Sequence, residues 1–299
     1  MSEELKINRN KNGFVGLFTA MASPCQVLVD APVVNLEQEA NIRQAIQDVQ
    51  EEAERIEKKF SRYRDDNIIA EINKSNGQPV NLDEESAKLM DFALQCFELS
   101  DGLFDITSGV LRNVWHFDGS DNIPDETSIK ACLPNIGLDK VQWKSPTLTL
   151  LQGMELDLGG IGKEYAVDRC LQIASQACNF PVLINFGGDL ACNGPRNNKQ
   201  SWQVGIESVG GGKPARLTLK QGAMATSGDA RRFLLKNGVR YSHILNPKTG
   251  QSMIDAPSSV TVTAPTCIQA GLMATLALLQ GADAEAFLKA QEIQYWIQK

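Results

Sequence analysis

Residues 157–168 read Asp157-Leu-Gly-Gly-Ile-Gly-Lys163-Glu-Tyr-Ala-Val-Asp168, a glycine cluster that runs into a lysine at the start of a helix-like stretch. Glycines let backbone N–H groups approach an anion closely, and a helix N-terminus adds a favourable dipole. Lys163 adds a full positive charge at the same place. The chemistry on offer is the grip of a phosphate or diphosphate, although a tight strand-to-helix turn carrying a surface lysine has the same pattern. It is not a P-loop, which needs Gly where Asp157 stands and Ser or Thr where Glu164 stands, and it lacks the G-x-G-x-x-G spacing of a dinucleotide fold.

Further islands of reactive residue types lie on either side. Ser61-Arg-Tyr63 offers a tyrosine among polar residues, able to stack on an aromatic ligand or simply to end a helix. Gly102-Leu103-Phe104-Asp105-Ile-Thr-Ser-Gly109 combines an acid, hydroxyls and glycines; a glycine-terminated helix followed by a new one capped by Asp105 or Thr107 explains it equally. Asn185-Phe-Gly-Gly-Asp189 permits close backbone approach by a ligand or by another strand. Thr226-Ser-Gly228 precedes a possible short helix and suits either phosphate oxygens or a cap. His243 opens His-Ile244-Leu-Asn-Pro-Lys-Thr-Gly250; imidazole titrates near neutrality and can act as a base, while a histidine at a strand end is often structural.

The elements that must position these residues are mixed. Ala40–Phe60 carries apolar residues at helical spacing, and Leu82–Ser100 forms a second helix opened by Asp83. Gly13–Ala20 and Gln26–Val29 read as strands with Met21 in the turn between them. Thr147–Leu151 and Met154–Leu158 read as a hairpin around Gln152-Gly153, followed by a helix over Lys163–Cys178 and a strand over Pro181–Asn185. Trp202–Glu207, Ala215–Leu219 and Ser259–Ala264 alternate as strands, Thr266–Leu279 is an apolar helix, and Ile293–Ile297 a last strand. Residues 117–138 read as loop. Several strand pairs have hairpin-length connections, so an α+β fold of mostly antiparallel sheet flanked by helices is expected. Residues 1–12 are expected as a polar tail and 13–299 as one domain.

Composition narrows the partners. A chain of 299 residues with 42% hydrophobic and 22% charged residues is an ordinary globular composition. Its net charge of −7 argues against a nucleic-acid backbone as partner. No segment approaches the roughly 18 apolar residues of a membrane span. The polar N-terminus lacks a signal-peptide core, and the seven scattered cysteines contain no C-x-x-C pair. These features lead us to expect reduced thiols and a cytoplasmic protein. With only His116 and His243 available, a Cys/His zinc site is not expected.

Taken together, the islands resemble the FAD:protein FMN transferase (ApbE-like) family in order and spacing, from about residue 15 to 283. The resemblance rests on Met21, Ser61-x-Tyr63, Gly102-x-Phe-Asp105, Asp157-x-Gly-Gly-x-x-Lys163, Asn185-x-Gly-Gly-Asp189, Thr226-Ser-Gly228, the His243–Gly250 motif and Ala274-Thr275. It implies an α+β fold and transfer of the FMN part of FAD to a Ser or Thr hydroxyl of a target flavoprotein, with release of AMP and help from Mg²⁺. It also implies that Met21, Tyr63, Leu103, Phe104, Asp105, Asp157, Lys163 and Ile244 contact FAD. By the same resemblance Gly160 offers its carbonyl and Thr275 its hydroxyl to the metal, and His243 is a candidate base.

Two positions depart from that pattern. The family places an Asp four residues before the metal-ligating Thr; here the residue is Gly271. The family usually has Gly after the lysine; here it is Glu164. Glu164 either supplies the missing carboxylate or pairs with Lys163. The departure leaves two expectations: a transferase with an altered metal site, or a flavin-binding relative that retains FAD or hydrolyses it slowly.

Overall fold

The computed structural model describes residues 4–208, 215–228 and 232–298. The chain starts with strands β1 (Lys6–Asn10), β2 (Gly13–Ala20) and β3 (Ser23–Asp30), then helix α1 (Leu36–Phe60), α2 (Ile68–Asn73), β4 (Pro79–Asn81) and α3 (Glu84–Leu99). Helix α4 (Glu126–Cys132), β5 (Gln142–Lys144), β6 (Thr147–Thr149), α5 (Gly162–Ala177), β7 (Val182–Phe186) and β8 (Asp189–Cys192) follow. The C-terminal part holds β9 (Trp202–Ile206), β10 (Ala215–Leu219), β11 (Gly222–Gly228), β12 (Phe233–Lys236), β13 (Val239–Ser242), β14 (Ser259–Ala264), α6 (Cys267–Leu279), α7 (Ala284–Ala290) and β15 (Tyr295–Gln298).

An eight-stranded sheet runs β1-β2-β3-β7-β8-β11-β14-β15, and each of its ladders is antiparallel. The fold is α+β, as the sequence predicts. Both faces of the sheet centre are covered, so its middle strands are buried on alternate sides. In β7, Val182, Ile184 and Phe186 join the main core with α1 and α5. Leu183 faces the other way, with Leu190, Met224, Trp202 and Leu219, under the β9–β10 hairpin. Val260 and Val262 of β14 pack on Ala274, Ala277 and Leu278 of α6 and on Leu288 of α7.

Local chemistry explains the helix starts. Asn35 caps α1 with a reciprocal bond pair to Gln38: its side chain accepts the Gln38 N–H at 2.8 Å and its N–H donates to Gln38 Oε1 at 3.0 Å. The first turn, Leu36 to Glu39, is polar apart from an exposed Leu36, so apolar periodicity alone starts this helix too late. Further along, Ile42, Ile46, Val49 and Phe60 are buried, each worth about 1.5–3 kcal/mol, which outweighs the ~1 kcal/mol of the cap. Asp83 caps α3, and Gly102 (φ 74°) closes it by donating to the Phe97 carbonyl at 2.8 Å.

Three sequence expectations differ from the structure, and a fourth falls partly outside the described residues. The stretch expected as a tail contains β1, an exposed edge strand whose polar residues carry no burial signal. Met154–Leu158 forms no strand: the Leu156 backbone is satisfied by both ends of the Asn73 amide and the Asp157 N–H by the Ile106 carbonyl, so no ladder forms. The hairpin partners of β6 are instead β5 and β4. The expected loop at 117–138 holds α4, capped by Asp125 and too short to show periodicity. Thr226-Ser-Gly228 ends strand β11; the residues directly after it, 229–231, lie outside the described residues, and Phe233–Lys236 is strand.

Candidate functional site

The head of α5 is the centre of the site. Ile161 stands at its N-cap and supplies no side-chain hydrogen bond. Two residues on, Lys163 Nζ lies 2.6 Å from Asp189 Oδ2, and the aspartate side chain is only 3% exposed. Asp189 reaches this place because β7 and β8 are joined by the two-residue turn Gly187-Gly188, both at positive φ (62° and 103°), which only glycine adopts at little cost. The other Asp189 oxygen accepts the Thr226 N–H at 3.0 Å and so ties the lysine seat to β11. A Cβ at Gly187 would stand 2.8 Å from Ser23 Oγ and 4.0 Å from Lys163 Nζ. The glycine pair therefore serves close approach of the β2–β3 turn and of the lysine. Burial works against the Lys163 charge, but Asp189, with Glu164 adding, more than offsets this and holds the ammonium above the ordinary lysine value.

Asp157 sits one turn earlier. Its Oδ2 pairs with Arg62 Nη1 and its Oδ1 accepts the Gly159 N–H at 2.8 Å. Arg62 also donates to the Tyr63 hydroxyl at 2.8 Å and lies 4.9 Å from that ring's centroid. The Tyr63 ring itself is 75% exposed and so open to stacking. A Cβ at Gly109 would stand 2.8 Å from Asp157 Cβ, so the Gly102–Gly109 segment rests directly on Asp157. Gly160 faces the Phe104 ring: a Cβ there would stand 3.2 Å from it.

Asp105 is turned inward. Its carboxylate accepts from the Thr107 N–H (2.8 Å) and hydroxyl (2.6 Å) and from the Leu138 N–H (3.2 Å). Burial raises its pKa against those bonds. Asp105 thus fixes the loop that presents Leu103 and Phe104. Thr107 makes no side-chain cap to the short 3₁₀ turn Ser108–Asn113. A cleft of about 350 Å³ adjoins this loop, between Gly102, Asp105 and Gly137 on one side and Pro247 and Lys248 on the other.

Helix α6 closes the far wall. Its N-terminus is held by Asp168 of α5, which accepts the Cys267 and Ile268 N–H groups at 2.8 and 3.0 Å. Thr275 Oγ1 lies 2.8 Å from Ser227 Oγ. One turn before Thr275, Gly271 faces Glu164: a Cβ at 271 would stand 2.7 Å from Glu164 Cγ and 2.9 Å from Oε1. Glu164 is buried, and its Oε2 has no hydrogen-bond partner. Burial, with the nearby Asp189 charge adding and Lys163 opposing, pushes its carboxyl well above the usual range. Among the described residues no three His, Cys, Asp or Glu side chains converge as a ready-made metal cage.

His243 follows β13. Its Nδ1 lies 3.1 Å from the Arg232 carbonyl, which can only accept, so a proton on Nδ1 is what makes this contact a hydrogen bond. The ring stands edge-on to Phe117, which stacks on Trp115. Ile244 packs against the core shared with α6. Gly250 (φ 68°) ends the motif; a Cβ there would stand 2.6 Å from Ile129 Cγ2, and its carbonyl accepts the Trp115 Nε1–H at 2.9 Å. Met21, at φ 51° in the β2–β3 turn, packs on the main core.

The structure brings Tyr63, Arg62, Asp157, Gly160 and Phe104 into one group of contacts, and joins Lys163 to Thr275 through Asp189 and strand β11. The contacts of His243 described above lie with Phe117 and Arg232. Sequence reasoning singled out the islands that hold Arg62 and Asp189 but gave neither residue a role. A cation beside Tyr63 and an acid after a Gly-Gly turn were the available signals.

The ApbE family model matches residues 21–297 of this chain. FAD:protein FMN transferase from Haemophilus influenzae is 27% identical over 240 residues, covering 75% of this chain and 69% of that protein. The protein of the same name from Salmonella typhimurium is 30% identical over 252 residues, covering 78% and 69%. The crystal structure of the ApbE protein from Thermotoga maritima superposes with a TM-score of 0.83 at 30% identity, over 98% of this chain and 94% of that one. The flavin transferase ApbE from Vibrio cholerae shares the fold, with a TM-score of 0.80 at 22% identity, over 98% and 94%. No described helix is long and apolar enough to cross a membrane.

Proposed function

The chain belongs to the ApbE family, and from that premise we propose that it moves the FMN part of FAD onto a Ser or Thr hydroxyl of a target flavoprotein and releases AMP. The observation that carries this reading is the seat at the head of α5, where Lys163 pairs with Asp189 and Glu164 faces Gly271 of α6, one turn before Thr275. With Asp189 at 2.6 Å, Lys163 is not a lone cation. A diphosphate entering this seat meets two carboxyls and one ammonium, so a divalent cation is needed to make the place hospitable.

Mg²⁺ suits the donors present. It takes hard oxygen ligands and commonly keeps phosphates and waters among them. The Gly160 carbonyl, the Thr275 hydroxyl and the Glu164 carboxyl are of that kind, and the unpartnered Oε2 of Glu164 supports the fit. When bound, such an ion offsets charge developing on the phosphate oxygens.

In the reaction, the acceptor hydroxyl oxygen attacks the phosphorus of the FMN half. The bond from that phosphorus to the bridging oxygen breaks, and AMP leaves with that oxygen. The His243 imidazole takes the hydroxyl proton. Lys163 holds phosphate oxygens in place. Met21, Tyr63, Leu103, Phe104 and Ile244 are read as contacts to the rest of the dinucleotide, with Asp157 held by Arg62 at its edge. The cytoplasmic expectation is supported by seven buried, unbridged cysteines.

Gly271 favours a second reading, an FAD binder or slow FAD pyrophosphatase. Incubation with FAD and a Ser/Thr-bearing acceptor, with and without Mg²⁺, followed by chromatography, separates the two. Metal-dependent AMP release with FMN fixed to the acceptor supports transfer. AMP and free FMN support hydrolysis, and intact, retained FAD supports the binder.

A further inference from the structure

Glu164 is the carboxyl of the seat that forms no ion pair among the described residues. Its side chain is buried, with 9% of the residue exposed. Oε2 has no hydrogen-bond partner. A buried carboxylate without partners is costly, and proteins retain one when something else compensates. Lys163 does so only from a distance: its ammonium pairs with Asp189 Oδ2 at 2.6 Å, and no Lys163–Glu164 ion pair is present among the described residues. The alternative that Glu164 simply neutralises its neighbour therefore finds no geometric support.

The opposite wall is shaped around this side chain. A Cβ at Gly271 would stand 2.7 Å from Glu164 Cγ, 3.0 Å from Cδ and 2.9 Å from Oε1. Position 271 and the Glu164 carboxyl thus share one volume, which only glycine leaves open. Thr275 stands one helical turn further along the same face of α6, and residues four apart on a helix have Cβ atoms about 5–6 Å apart. The Glu164 carboxyl therefore faces a position one helical turn from the Thr275 hydroxyl, whose oxygen stands 2.8 Å from Ser227 Oγ.

We infer that Glu164 is a metal ligand of this protein, its carboxylate entering the space over Gly271 to hold a divalent cation together with the Thr275 hydroxyl. The inference rests on the transferase reading for the site, and adds that the anionic ligand comes from α5 with Gly271 as the clearance that admits it. Position 164 and position 271 are then a reciprocal pair in which one carboxylate serves, from either helix.

Mn²⁺ is the probe, followed by loss of the free-ion electron paramagnetic resonance signal, with FAD binding measured in parallel by flavin fluorescence. The wild type is expected to bind Mn²⁺, and Glu164→Gln, which keeps the shape, to weaken it by about tenfold or more while metal-free FAD affinity does not fall. The double variant Glu164→Gly with Gly271→Asp moves the carboxylate to the other helix and is expected to recover Mn²⁺ binding. Equal Mn²⁺ affinity in the wild type and Glu164→Gln, or no Mn²⁺ binding by the wild type, overturns the inference. A wild type that binds Mn²⁺ through Glu164 but has no affinity for FAD supports the ligand role and contradicts the transferase reading instead.

Discussion

The Lys163 ammonium and the Asp189 carboxylate form an ion pair at 2.6 Å in which the acid is almost wholly buried and the base partly open to solvent. The pair joins the head of α5 to the β7–β8 hairpin, and through the Thr226 N–H to β11. Removing one partner of a buried pair is expensive because the other charge remains. Asp189→Asn is expected to cost roughly 2 kcal/mol, below the usual range for a fully buried pair because Lys163 retains water. Urea unfolding checks this; an unchanged midpoint contradicts it.

Lys163→Ala removes the fixed cation from the phosphate seat. FAD affinity is expected to fall by about tenfold or more, the weight of one charge-assisted hydrogen bond. A flavin fluorescence titration reads it, and unchanged affinity removes Lys163 from the assigned role.

Restoring an acid at position 271 by itself is expected to fail. The new Cβ meets Glu164 at 2.7–3.0 Å, so Gly271→Asp overfills the site by about 1–3 kcal/mol and brings a second carboxyl beside the first. From the sequence alone, a gain of activity is the natural expectation for this change. A lower melting temperature without a gain is the outcome expected from the structure; a more active, equally stable variant contradicts it.

His243→Ala is expected to lower FMN transfer by about 10²–10⁴-fold with FAD affinity little changed, because its ring packs on Phe117 rather than on Lys163 or Asp157. Single-turnover transfer and equilibrium FAD binding, measured on the same preparation, separate the two effects. Loss of FAD binding alone moves His243 from base to binding residue.

Glu85 ties α1, α3 and α5 together. It receives both Arg55 Nη atoms (2.8 and 2.6 Å), Lys59 Nζ (2.6 Å) and the Tyr165 hydroxyl (2.7 Å). Burial raises its pKa, but the Arg55, Lys59 and Tyr165 bonds outweigh this and bring it down to about 2. A depressed carboxylate stabilises the fold above its unfolded value, near 4.3, and loses that contribution as pH falls toward 2. Glu85→Gln is therefore expected to destabilise the protein at pH 7, by on the order of 1 kcal/mol for a partly exposed network. The difference from wild type is expected to shrink through that window in pH-dependent denaturation curves; a constant difference contradicts the assignment.

The long elements were legible in the sequence because their patterns are periodic. The buried stripe of α1 and the alternation of β14 both stand where spacing puts them. What was not legible depends on partners distant in sequence. Met154–Leu158 alternates like a strand but spends its backbone bonds on Asn73 and Ile106. Edge strand β1 has no burial to announce it. At the site, the glycine–lysine turn was visible as chemistry, whereas Asp189 as the partner of Lys163 and Arg62 as the partner of Asp157 required the fold, since each pair spans 26 and 95 residues of chain respectively. The sharing of one volume by Glu164 and Gly271, 107 positions apart (271 − 164), is a property of helix packing that no local pattern carries.

The central claim is that the head of α5 and the facing wall of α6 grip the diphosphate of FAD, with a divalent cation between. The most direct measurement is an equilibrium titration of the purified protein with FAD, followed by flavin fluorescence, with Mg²⁺ and with a chelator. Saturable binding that tightens when Mg²⁺ is present is expected. The absence of saturable binding under both conditions contradicts the claim.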